Sequence, residues 1–153
     1  MNMQNERLTI GQMKRDYPGL SLRTMRILCA MNNECATKRR IFRVLPKIIL
    51  EMDVRKRDVI TDILEYAMKR TFLRFMSRSL DERNKMRFEF YKKLKMKIVD
   101  KCDDAELPIH VKEHILCAVD AVWRNIHIRL RLENARYTFY STQMLKFACM
   151  FTR

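Results

Sequence analysis

The sequence predicts an all-α protein, a compact bundle of about six helices, and three observations lead there. Only two glycines and three prolines occur in 153 residues, too few for the tight positive-φ turns of a hairpin-rich sheet protein. Twelve methionines suit helices, because an unbranched thioether propagates a helix and fills irregular gaps in a core. Apolar residues recur at three- and four-residue spacing along most of the chain, the period of a helix with one buried face. At 48% apolar content there is material for a core, so a single helical domain over 1–153 is expected, with 1–33 readable as a small N-terminal subdomain.

Taken in order, the first helix is predicted near Leu8 to Tyr17, stopped by Pro18 and by Gly19, which permits a left-handed turn. Ser21 stands at an N-cap position for a second helix, Leu22 to Asn32. A third, from Glu34 or Cys35 to Met52, contains Pro46, where a break is expected. The fourth, Val54 to Ser77, places Val59, Ile60, Ile63, Leu64 and Ala67 on one face. The fifth, Asp81 to Cys102, carries Phe90, Tyr91, Leu94 and Ile98 on one arc and Phe88, Met96 and Val99 on the opposite one. The sixth starts after Pro108 and has one wide apolar face running from Val111 to Leu130. A last aromatic segment, Tyr137 to Phe151, is expected to dock back on the body.

The chain carries 32 Lys and Arg against 18 Asp and Glu, a net charge of +14. Such a balance implies a polyanionic partner, since a basic surface concentrates nucleic acid and gains from counterion release. The excess is local: residues 1–50 hold 10 basic and 3 acidic groups, against 15 and 11 in residues 51–104. Arg39, Arg43 and Lys47 share a helical face at i,i+4 spacing, Lys38 and Arg40 adjoin them, and Arg55, Lys56 and Arg57 form a second cluster. Groups so spaced can track a phosphate backbone.

Between Thr9 and Leu28, the run Pro18-Gly19-Leu20-Ser21 followed by an amphipathic helix resembles a helix-turn-helix. The resemblance implies that Leu20, Met25 and Leu28 pack the second helix on the first. It also implies that Arg23, Thr24 and Arg26 stand near the end presented to a major groove, where a guanidinium engages guanine or phosphate by two hydrogen bonds. Lys14 and Arg15 depart from the pattern, occupying positions where an apolar and a small residue usually allow close helix crossing; their charge suits phosphate instead.

His110, His114 and Cys117 fall at i, i+4 and i+7, with Cys102 upstream, and these four are candidate zinc ligands by residue type. Paired Cys-x-x-Cys knuckles are absent, so no metal and no cofactor is expected. Nucleophile elbows, phosphate loops and metalloprotease signatures are also absent, and the expectation is a protein without enzymatic activity. Five cysteines without compact pairing and no long uncharged run fit a reducing compartment, nucleus or cytoplasm, and no integral membrane association.

The expected function is nucleic-acid binding, DNA or RNA, by phosphate neutralisation, with groove insertion of helix 22–32 as an added possibility. The alternative is a helical adaptor or inhibitor that captures an acidic protein partner through Phe88, Met96 and Val99. A homo-oligomer is expected under either, because a two-sided helix wants a second surface and groove readers commonly pair.

Overall fold

The computed structural model describes residues 8–35, 40–76 and 80–132, with side chains over 8–35, 40–71 and 89–125. Six helices follow in order: α1 Ile10–Asp16, α2 Leu22–Asn33, α3 Ile41–Glu51, α4 Val54–Met76, α5 Leu80–Asp104 and α6 Ile109–Leu132. No strand occurs among the described residues. The predicted C-terminal docking segment, 137–151, lies outside them, as do Lys38, Arg39 and the side chain of Phe88.

Local chemistry sets most boundaries. Thr9 caps α1 through a reciprocal pair, its Oγ1 accepting from the Gln12 amide at 3.2 Å while its own amide donates to Gln12 Oε1 at 2.9 Å. Ser21 caps α2 as its position implied, accepting from the Thr24 amide at 3.2 Å. Gly19 differs from expectation: neither glycine has positive φ. Its small size matters for another reason, since a Cβ there would stand 2.9 Å from Leu50 Cδ2, so the turn between α1 and α2 is pressed against the end of α3.

The expected break at Pro46 does not occur, and α3 continues through it. Pro46 lacks the amide that would bond to the Phe42 carbonyl and sets its ring against that carbonyl, the usual cost of proline inside a helix. Pro46 is itself buried beside Phe42, Leu45, Ile48 and Ile49, and that burial offsets the lost bond. The unforeseen feature is the end of α5. Glu106 adopts φ 56°, the left-handed position normally given to glycine. Around it the Leu107 amide bonds to the Cys102 carbonyl and the Glu106 amide to the Asp103 carbonyl, both at 3.0 Å.

α4 and α6 form the centre: α2 and α3 pack on both, α5 packs on both, and α1 packs on α2. Met13 of α1, Ile27 and Leu28 of α2, Phe42 of α3, Leu64 of α4, Ile98 of α5 and Val119 of α6 belong to one buried cluster. Residues of α2 thus contribute to the common core. Trp123 carries Phe90 and Tyr91 stacked on it at centroid distances of 5.7 and 4.7 Å. The Tyr91 hydroxyl donates to Asp120 Oδ1 at 2.6 Å; burial first, then this carboxylate, pushes the phenol well above its ordinary range.

Candidate functional site

The basic residues divide by what lies across from them. Arg23, in the first turn of α2, forks onto Glu65 of α4, with Nε to Oε1 and Nη2 to Oε2 both at 2.8 Å, and Nη2 also pairs with Asp62. These bonds, Glu65's first, hold the guanidinium even more firmly protonated than usual. Thr24 is 3% exposed, and its hydroxyl lies 2.8 Å from Ser21 Oγ and 2.7 Å from Thr61 Oγ1. Arg57 donates to the carbonyls of Met52 at 2.8 Å and Leu50 at 2.7 Å, closing the end of α3 where the helix dipole is negative.

Three residues that the sequence offered as nucleic-acid contacts thus have partners inside the fold. Arg23, Thr24 and Arg57 are fixtures of the α2–α4 and α3–α4 junctions, with their polar atoms committed to other elements. The sequence could not show this, because the partners of Arg23 lie 39 and 42 residues away. Of the positions assigned to a groove-facing end, Arg26 alone is exposed and without a described partner.

α3 presents a different picture. With Phe42, Leu45, Ile48 and Ile49 buried, its outward stripe from 40 to 47 consists of Arg40, Arg43 and Lys47, all exposed. Arg43 and Lys47 are separated by about 6 Å of helix rise. Tyr17 joins α1 to this stripe by donating its hydroxyl to the Arg43 carbonyl at 3.1 Å. Burial first, then Asp16, raises the Tyr17 phenol, and the positive Arg43 opposes both. Lys14 and Arg15, exposed on the last turn of α1, sit at the negative end of that helix dipole, which favours them. The Tyr17 bond ties the end of α1, which carries Lys14 and Arg15, to α3, which carries Arg40, Arg43 and Lys47; Asp16 and Glu51 are the exposed acids on the same two elements. Arg55 and Lys56 occupy the first turn of α4, where Asp53 accepts from the Lys56 amide at 2.9 Å.

α5 carries a basic cluster that segment-wide charge counting hides. Lys92, Lys93, Lys95, Lys97 and Lys101 are all exposed, with Lys95 5.0 Å over the Tyr91 ring and Lys101 4.6 Å over the Tyr66 ring. The signal was present in the run Lys92-Lys93-Leu94-Lys95-Met96-Lys97. Met96 is 58% exposed and Val99 is half-buried.

The four candidate zinc ligands do not come together. Cys102 is fully buried in the core, its thiol pushed up to about 11, chiefly by desolvation. Cys117 and His110 are exposed, and His114 Nδ1 lies 2.6 Å from the carbonyl of His110. Among the described residues no group of three or more His, Cys, Asp and Glu side chains is placed to hold a metal ion. No helix of the described residues is long and apolar enough to cross a membrane. Comparison with protein-family models, curated proteins and solved structures found no match for this chain.

Proposed function

We propose that this protein binds nucleic acid by neutralising phosphates on the face made by the end of α1 and the outward stripe of α3. Lys14, Arg15, Arg40, Arg43 and Lys47 make the contacts, with Arg55 and Lys56 beside them in the first turn of α4. One observation supports the reading most: the exposed residues between 40 and 47, Arg40, Arg43 and Lys47, are all basic. The reading does not use insertion of α2, since Arg23 and Thr24 are engaged with α4.

The test is a salt series with duplex DNA, duplex RNA and single strands of equal length. Five phosphate contacts on duplex DNA give a slope of log affinity against log salt of about −4 to −5. The Arg40→Gln/Arg43→Gln/Lys47→Gln variant should be shallower by about 2 to 3 units, uniformly across sequences. A shallow slope for the unmodified protein, or an unchanged slope for the variant, refutes the proposal.

A further inference from the structure

The outer face of α5 is unlike the α3 stripe in one respect: an exposed thioether stands in its middle. Leu94, Ile98 and Cys102 turn the other side of α5 into the core. Outside, Met96 has Lys92 and Lys93 one turn before it, Lys97 beside it, and Val99 and Asp100 one turn after it. Met13, Met25, Met31 and Met68 are buried and Met52 is half-buried, so Met96 is the most exposed of the methionines whose side chains are described. Lys92, Lys93 and Lys97 have no ion-pair partner among the described residues.

We propose that this face docks an acidic amphipathic segment of a protein partner, whose apolar side chains cover Met96 and Val99 and whose carboxylates pair with Lys92, Lys93 and Lys97. Charge complementarity selects the acidic partner, and the methionine selects protein over nucleic acid. A phosphate backbone offers the lysines a counter-charge but gives the thioether nothing to cover it, whereas an unbranched, polarisable side chain adapts to varied apolar partners. A flat anionic lipid surface fits less well, because it would meet the exposed Glu89, Asp103 and Asp104 that flank the lysines with like charge, whereas a short segment can keep its carboxylates to Lys92, Lys93 and Lys97 and away from Asp100. The basic part, Lys92 to Lys97, spans about 7.5 Å of helix, roughly one and a half turns. The residues of this surface, all on α5, are distinct from those of the proposed phosphate-binding face, which lie on α1, α3 and the start of α4.

The experiment uses the full chain and a fluorescein-labelled 20-residue peptide with a leucine stripe flanked by glutamates. A scrambled peptide of the same composition, a 20-nucleotide oligothymidine and phosphatidylserine-containing vesicles serve as further probes. The patterned peptide should bind at least about tenfold more tightly than the scrambled one, reflecting one buried methionine and its apolar partners. Met96→Glu, at an exposed helical position that tolerates glutamate, should abolish that preference without moving the thermal midpoint or the oligothymidine affinity. The α3 triple glutamine variant should keep the peptide and lose the nucleic acid. Equal binding of both peptides, an unaffected Met96→Glu, peptide loss in the α3 variant, or Met96-dependent vesicle binding would each overturn the proposal. Failure of nucleic-acid binding alone would leave it standing.

Discussion

Replacing Arg23 by glutamine separates a structural arginine from a reading one. The guanidinium makes two 2.8 Å bonds to Glu65 and a third contact with Asp62. Its side chain is 45% exposed, that of Asp62 61% and that of Glu65 19%. An open pair of this kind contributes about 0.2–1 kcal/mol. The forked geometry, and the partly covered Glu65 carboxylate left behind, raise the expected loss to about 1–2 kcal/mol. For a chain of this length that is a fall in Tm of roughly 3–6 °C. Urea unfolding followed by circular dichroism and Trp123 fluorescence would measure it, and a cycle with Glu65→Gln should return a coupling of about 1 kcal/mol. Affinity for duplex DNA should stay within about twofold, one screened surface charge being a minor part of a multi-contact interface. A tenfold loss of binding with unchanged stability would refute this reasoning, because it would mean that the guanidinium leaves Glu65 for the ligand and that α2 reads the groove.

Three further outcomes follow from the fold. Glu106→Gly should stabilise the protein by about 1 kcal/mol, read as a higher urea midpoint, since it relieves a left-handed residue at an exposed turn; a lower midpoint would show that the glutamate side chain outweighs its backbone strain. Cys29 and Cys102, each raised by burial from 9.0 to about 11, should resist a thiol reagent at pH 8 until unfolding, and Cys117→Ser should remove one fast-reacting equivalent. Because their folded values lie above the unfolded one, the stability they contribute is complete below about pH 9 and is lost as pH rises towards 11. The urea midpoint should fall across that window, and less steeply in Cys29→Ala/Cys102→Ala; a midpoint that does not fall contradicts the assignment.

Much of the candidate site was legible as composition and little of it as placement. Arg43 and Lys47 of the α3 stripe could be read from i,i+4 spacing, because one helix defines its own faces; Arg39, read with them, lies outside the described residues, and Arg40 is exposed beside them. The lysines of α5 were equally readable in principle, but an average over residues 51–104, with 15 basic and 11 acidic groups, conceals a four-lysine run that contains no acid. Arg57 looked like part of a basic cluster, and only the fold of α4 back over the end of α3 turns it onto the Leu50 and Met52 carbonyls. Pro46 obeyed a local rule that burial overrode.

By itself the sequence determined the all-helical class, the six helices to within a few residues at most of their ends, the Ser21 cap and the basic character of the N-terminal third. Those properties depend on propensity, period and side-chain reach over three or four residues, all of which are local. Tertiary structure alone decided which charges remain for a ligand. Arg23 and Thr24 meet α4 residues 37 to 42 positions away, and a hydrogen bond across that separation exists only once two helices are packed. The same packing leaves Arg40, Arg43, Lys47 and Met96 exposed on the outside of the bundle.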